Sequence, residues 1–182
     1  MAEMTRREFL KGAVMAGSAA VLGGFTDFGT AGAMAAAGDL PPHDPLLNGV
    51  CDIHMHLAPD VKPRCTDEFT FARQARAAGY RAVMYKSNEW SCHDRAYLIR
   101  RALPDFEVFG SFCMNFTYGD KINVYAAKMA VQTTGKTCRC IWMPTYQSAF
   151  DMRKKGGGVP VLDAQGKVLP EVVKVMEICA DA

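Results

Sequence analysis

The feature that most constrains this chain is a regular alternation of short apolar segments and helix-like segments after residue 48. Apolar runs of strand length recur, and amphipathic stretches with helix-stop signals separate them. Repeated βα units of this kind predict an α/β fold built on a parallel sheet. The predicted strands are 50–56, 81–86, 106–114 and 138–143, the predicted helices are 67–78, 92–103, 124–131 and 171–179, and a small hairpin is predicted over 159–169.

Local signals predict where several helices begin and end. Thr66 is the expected N-cap of the first helix, and Gly79 is its expected stop. In the second helix we expect Tyr97 and Leu98 to face the core. Pro170 stands at the favoured first-turn position of the last helix.

Composition limits the class of protein. The chain has 182 residues, 49% of them hydrophobic, and a net charge of +2, which predicts a globular domain with a core. The basic and aromatic patches of a nucleic-acid binder are missing, so a small polar or anionic substrate is the better expectation. The seven cysteines are odd in number and contain no Cys-x-x-Cys pair, which argues against a disulfide framework and favours small buried hydrophobes.

The first 37 residues carry targeting signals. The pair Arg6-Arg7, an Ala/Gly-rich apolar run over 12–24 and small-residue sites ending at Ala33 and Ala37 together resemble a twin-arginine export signal. The apolar run is too short for a stable membrane span, which needs about 20 apolar residues. We therefore expect a signal peptide over 1–37, a linker over 38–47 and a folded domain over 48–182. The twin-arginine export machinery is the implied partner, and the periplasm or the cell exterior is the implied location.

A His-x-His motif at the end of the first predicted strand is the strongest chemical signal. Alternate strand residues point the same way, so Asp52, His54 and His56 are expected on one side of the sheet. Neutral imidazoles bind Zn, Mn, Fe or Ni, and Asp52 could orient one imidazole or bind directly. The alternative is two histidines on the surface or in the core with no shared role.

The segment Asp52-Ile53-His54-Met55-His56 resembles the first-strand signature of the amidohydrolase superfamily, and the segments 57–60, 80–87 and 159–172 are similar to an uncharacterised amidohydrolase-like branch of it. The resemblance covers the chain from about residue 48 onward. It implies a (β/α)8 TIM-barrel-like fold, represented here by about its first four βα units. It also implies a metal-dependent hydrolase that uses metal-activated water on a small amide, lactone or ester. His54 and His56 would be the metal ligands, with Zn the first choice and Mn, Fe or Ni open.

The sequence also departs from the superfamily pattern. The fourth predicted strand ends in Met143-Pro144-Thr145, where the superfamily has a carboxylated lysine or a glutamate, and no histidine follows His93. A half barrel would also leave two edge strands without partners, which natural proteins avoid. A truncated chain and a homo-oligomer that pairs two halves are the two explanations.

Three further residues are candidates. Lys86 ends the second predicted strand, where it could bind a substrate carboxylate or be carboxylated to bridge metals, and we count it with Asp52 as a catalytic candidate. A surface lysine without a role is the alternative. Asn115, at the end of the third strand, is a possible substrate contact. His93 could complete a metal site, although a solvated or capping role is favoured.

These observations predict an enzyme of the amidohydrolase type. A truncated or non-catalytic metal-binding remnant is one alternative, because later ligands are missing. A phosphoesterase with a His-x-His metal site is the other, because barrel hydrolases of that kind also begin with this motif.

Overall fold

The computed structural model describes residues 40–182, and the predicted signal peptide over 1–37 lies outside the described residues. Three short 3-10 turns, Pro45–Leu47, Phe116–Tyr118 and Arg153–Lys155, lie between the main elements. The main elements are β1 Cys51–Met55, α1 Glu68–Ala78, β2 Ala82–Tyr85, α2 His93–Ala102, β3 Glu107–Cys113, α3 Val124–Gln132, β4 Cys138–Trp142 and α4 Pro170–Ala180.

The four strands form one parallel sheet in the order β1-β2-β3-β4. A helix follows each strand before the next begins, so the predicted α/β class and the repeated βα units are confirmed. All four carboxyl ends therefore lie along the same edge of the sheet. Among residues 40–182, no helix has the length and apolar character needed to cross a membrane.

The helix ends follow the local signals with small shifts. Asp67, not Thr66, is the N-cap of α1, and its carboxylate accepts hydrogen bonds from the amide and the hydroxyl of Thr70. Gly79 ends α1 with a left-handed φ of 108°, as predicted. The prediction for Leu98 was wrong: its side chain is 64% exposed.

All four helices pack on the same face of the sheet. Val108 of β3 belongs to the core cluster that α1 and α2 form with β2, and Phe112 belongs to the cluster that α3 and α4 form. The two residues are four positions apart in one strand, so their side chains leave the same face. The opposite face of the sheet carries no described helix.

A buried ion pair connects the first two helices on the covered face. The guanidinium of Arg95 in α2 donates from Nε to Oε2 of Glu68 at 2.7 Å and from Nη2 to Oε1 at 2.9 Å. Glu68 is 4% exposed. Burial raises the pKa of Glu68, although the hydrogen bonds and charge of Arg95 oppose this shift. The bidentate pair joins the start of α1 to the first turn of α2.

Two smaller expectations are partly confirmed. The predicted hairpin over 159–169 is reduced to one antiparallel bridge between Leu162 and Val168. All seven cysteines lie within residues 40–182, and the structure shows them as free thiols. Only Cys92 and Cys113 among them are buried, fewer than we expected.

Gly110 of β3 tests how closely α2 approaches the sheet. A Cβ at this position would collide with the backbone of Cys92 and His93 at the start of α2. We expect Gly110→Ala to lower the free energy of unfolding by about 2 to 3 kcal/mol, because backbone atoms cannot move aside as a side chain can. Urea unfolding followed by circular dichroism measures the change.

Gly157→Ala is the matched control, since nothing lies within 4 Å of its added Cβ. Its free energy of unfolding should stay within about 0.5 kcal/mol of the wild type. Equal stability of the two variants would contradict the close packing of α2 on β3.

Candidate metal and substrate site

A cluster of aromatic and basic side chains lies at the carboxyl ends of the strands. The ring centroids of His54 and His56 are 5.4 Å apart, and the His54 ring is 5.0 Å from the ring of Trp142 at the end of β4. The Nζ of Lys86 lies 5.1 Å from the Trp142 ring centroid. We call these four residues the strand-end site. Three of the five predicted site residues therefore come together here.

Asp52 contacts the site through the backbone. Its Oδ1 accepts a hydrogen bond from the amide of His54 at 3.0 Å, and the pairing of β1 with β2 is irregular between Asp52 and Met55. This bond holds the strand backbone that carries the two imidazoles. Within residues 40–182, no three side chains of the metal-binding types converge, so His54 and His56 form a pair of donors.

His56 faces a carboxylate that the sequence analysis had not assigned to the site. Its Nδ1 is buried without a hydrogen-bond partner and lies 4.0 Å from Oδ2 of Asp60. Asp60 in turn accepts two hydrogen bonds from Arg64, at 2.9 Å from Nε and 2.7 Å from Nη2. Burial opposes ionisation of Asp60, but these bonds and backbone amides lower its pKa on balance.

The surroundings keep His56 neutral. Burial lowers the pKa of His56, and the ammonium of Lys86 and the guanidinium of Arg64 lower it further, while Asp60 opposes the shift. A neutral imidazole is the form that can bind a metal.

Lys86 is a buried cation on the open side of the sheet. It follows β2 in register with Ala82 and Met84, which line the open face, and it is 5% exposed. Its Nζ donates to Oδ1 of Asn88 at 2.9 Å. The position at the end of a strand is as predicted. The side chain is buried, which differs from the alternative of a lysine on the surface.

Asn115 is fully buried, and its amide is bonded to protein at both ends. Its Nδ2 donates to the carbonyl of Asn88 and to Oγ1 of Thr145, each at 2.9 Å, and its Oδ1 accepts from the amide of Thr145 at 3.0 Å. Asn115 therefore ties the loop after β2 to the segment after β4. A direct contact between Asn115 and substrate stays a prediction.

His93 lies away from the strand-end site. Its ring packs against Phe112, whose side chain belongs to the core on the helix-covered face, and its carbonyl accepts from Thr137 Oγ1 at 2.6 Å. Burial lowers the pKa of His93, and its Nδ1 has no hydrogen-bond partner. Its place is at the start of α2 in the core, so it does not complete the histidine pair.

Comparison with known proteins gives one family. Residues 49–182 match the model of a family described as "Family of unknown function (DUF6282)". The chain belongs to this family. No curated protein and no solved structure matches the chain.

An open groove extends from the strand-end site over the uncovered face of the DUF6282 domain. Its volume is about 610 Å³, and all four strands contribute to it. Ile53 stands in this groove with 64% of its surface exposed, although an isoleucine in a strand is usually buried. The lining residues are Cys51, Asp52, Ile53, Ala82, Val83, Met84, Phe109, Arg139, Cys140 and Trp142.

Sequence reasoning missed four members of this site in the DUF6282 domain. Asp60 follows the His-x-His motif by four residues, and this short spacing was the one available signal. Asn88 and Thr145 lie in loops, where no periodicity indicates direction. Trp142 ends β4, and its Nε1 donates to Ser111 Oγ at 2.9 Å, which fixes the ring beside His54.

The bonds of Asn115 predict a large stability effect. We expect Asn115→Ala to lower the free energy of unfolding by about 2 to 4 kcal/mol, because buried partners in Asn88 and Thr145 lose their hydrogen bonds. Chemical denaturation measures the loss. Asn48→Ala, at an exposed position, is the control and should be close to neutral. A neutral Asn115→Ala would show that this network does not hold the two loops together.

Proposed function

We propose that this DUF6282 protein is a metal-dependent hydrolase of the amidohydrolase type, acting on a small amide, lactone or ester. His54 and His56 would hold a divalent metal ion, with Zn the first choice. The observation that carries the proposal is the pair of adjacent imidazoles at the carboxyl ends of parallel strands. That edge is where α/β proteins of this kind place their active sites.

The residues present fit part of a metal centre. Two imidazoles whose nitrogens share one zinc at about 2.1 Å place their ring centres roughly 5 Å apart, and the observed separation is 5.4 Å. The unpartnered Nδ1 of His56 faces Asp60, as in sites where a carboxylate orients a ligating histidine. Further ligands would have to come from outside residues 40–182, from substrate or from water.

The chain's own groups would have distinct tasks. Asp60 would orient the His56 ring, and Asp52 would hold the backbone of His54 in place. The ring of Trp142 shields one side of His54 from water. A bound metal would supply a water molecule with a pKa near neutral and would polarise the scissile carbonyl.

We further propose that the sheet belongs to a (β/α)8 barrel. The support is the placement of all helices on one face, because doubly wound sheets carry helices on both faces. In a barrel the uncovered face becomes the packed interior, which explains the apolar side chains in the groove. Within residues 40–182, β1 and β4 each leave one edge without a partner strand. Two copies of a four-stranded sheet would pair both edges.

Self-association tests the barrel proposal. We expect the purified chain to form a dimer that melts cooperatively. Ile53→Ser should raise the Kd of the dimer at least about tenfold, because burial of one isoleucine contributes about 1.5 to 3 kcal/mol. Analytical ultracentrifugation and thermal melting give the two readouts. Leu46→Ser, at a residue 88% exposed outside the groove, is the control and should leave association unchanged. A monomer with a sharp two-state transition would contradict the proposal.

Export by the twin-arginine route is proposed for the same protein. The support is the sequence pattern over 1–37, since that part of the chain lies outside the described residues. The route carries folded proteins, so a metal could be installed before export, and the periplasm or the exterior would be the place of action.

A non-catalytic metal-binding protein is the second candidate. The observation in its favour is that no third ligand joins His54 and His56 among residues 40–182. Metal binding without hydrolysis of amide, lactone or ester substrates would favour it.

Metal content tests the proposed function. After dialysis against a weak chelator, elemental analysis should show that His54→Ala and His56→Ala each lose most of the bound metal. Asp60→Asn should weaken metal affinity by roughly ten- to a hundred-fold, because it removes the charge that faces His56. Asp52→Asn retains an oxygen that can accept the His54 amide, so its loss should be smaller if that backbone bond is its role. If Asp52→Asn weakens metal affinity as much as Asp60→Asn does, the role of the Asp52 carboxylate is to orient one of the imidazoles.

The control for this series is His43→Ala. His43 is exposed and lies beside Gly79, before β2, at the opposite edge of the sheet. It should retain the wild-type metal content. Equal metal content in the wild type and in the His54→Ala/His56→Ala double variant would refute the metal site and with it the hydrolase proposal.

A further inference from the structure

Lys86 is a buried cation without an anionic partner in the described part of the chain. Its side chain is 5% exposed, and its one hydrogen bond goes to the neutral amide oxygen of Asn88. None of the ion pairs among residues 40–182 includes it. Burying an ammonium is costly unless an opposite charge accompanies it. The Trp142 ring offsets only part of this cost.

The carboxylates in the vicinity are already engaged. Asp60 accepts both hydrogen bonds from Arg64, and Asp52 accepts the backbone amide of His54. Glu89 accepts a hydrogen bond from the hydroxyl of Thr117 at 3.0 Å. The Asp60–Arg64 pair adds no net charge to the site. None of these three carboxylates forms an ion pair with the Lys86 ammonium.

A metal ion at His54 and His56 would add further positive charge near Lys86. A divalent cation and an ammonium on the same side of the sheet repel each other unless a negative group lies between them. The Trp142 ring links the two groups, since its centroid lies 5.1 Å from the Lys86 Nζ and 5.0 Å from the centroid of the His54 ring. Both the metal site and the lysine thus call for an anionic ligand at the same place.

We infer that the strand-end site binds a small molecule with a carboxylate or phosphate group, and that the Lys86 ammonium is the residue that recognises this group. The inference rests on the proposed function for the identity of this molecule as substrate, which would be an amide, lactone or ester with an anionic substituent. The network of Asn88, Asn115 and Thr145 would keep Lys86 aimed at the site. In this role Lys86 is a specificity residue.

Trp142 provides the readout, since its ring contacts both Lys86 and His54. Trp90 is the other tryptophan and is 58% exposed, so the full chain with Trp90→Phe reports on Trp142 alone. This protein is titrated with malonate, with inorganic phosphate and with the neutral isostere malonamide, at constant ionic strength set with chloride. Each titration is made once after removal of metal with chelator and once with zinc added.

We expect a saturable change in Trp142 emission with malonate or phosphate and none with malonamide. The responding anion distinguishes a carboxylate from a phosphate substrate. Lys86→Met, which keeps an aliphatic stem of similar length, should raise the Kd at least about tenfold, because it removes a charged hydrogen-bond donor. Lys174→Met, on the exposed surface of α4, should leave the Kd unchanged.

Three results would overturn the inference: no saturable response in the Lys86-containing protein, an equal response to malonamide, or an unchanged Kd in Lys86→Met. The first two need no variant at residue 86, so a folding defect of Lys86→Met cannot obscure them. Anion binding in the metal-free protein, together with no retained metal, would sink the hydrolase proposal and leave this inference standing. If the protein retains metal but shows no anion binding that depends on Lys86, this inference is wrong and the hydrolase proposal stands.

Discussion

The parallel direction of all four strands is the constraint on which the site depends. Parallel strands place their carboxyl ends along one edge, so residues that are far apart in the chain meet there without any other instruction. His54 lies in β1, Lys86 follows β2 and Trp142 ends β4. The centroid of the Trp142 ring is 5.0 Å from that of the His54 ring and 5.1 Å from the Lys86 Nζ. An antiparallel arrangement would have placed Lys86 at the other edge.

The packing of the helices is the second requirement for this geometry. Small residues such as Ala72 and Ala96 on the helices, and Gly110 on β3, let the helices approach one face closely. The other face is left to Ile53, Phe109 and the site residues. Because of this asymmetry, one face of the sheet forms a core with the helices, and the other face carries a groove of about 610 Å³. The proposed hydrolysis and the proposed association would therefore use the same side of the sheet.

The electrostatics of the strand-end site follow from burial. Partial burial lowers the pKa of His56, and the ammonium of the buried Lys86 lowers it further. The lowered pKa of His56 favours the neutral imidazole, which is the form that can bind a metal. Lys86 is held by Asn88 and Trp142, which are neutral partners, so its charge is available to a ligand. The proposed metal and the proposed anion are complementary consequences of this arrangement.

Elements with a local signal were predictable from the sequence. The α/β class, the order of strands and helices, and the end of α1 at Gly79 follow from periodicity and from a left-handed turn that favours glycine. The N-cap was placed one residue early, because Thr66 and Asp67 are both good caps and only the carboxylate of Asp67 reaches Thr70. Leu98 was assigned to the core because it is apolar. Its exposure depends on the exact rotation of α2 about its own axis, which the local sequence does not specify.

By itself, the sequence determined that His54, His56 and Lys86 end neighbouring strands, because strand position depends on local pattern. Only the tertiary structure decided which partners these side chains acquire. Asp60 lies 4.0 Å from His56, and the Asn115 amide is hydrogen-bonded to Asn88 and Thr145. The His93 ring packs against Phe112 of the core. The contacts of Asn115 and His93 join segments that are distant in the chain, and the direction of all these side chains depends on packing, which no local pattern contains.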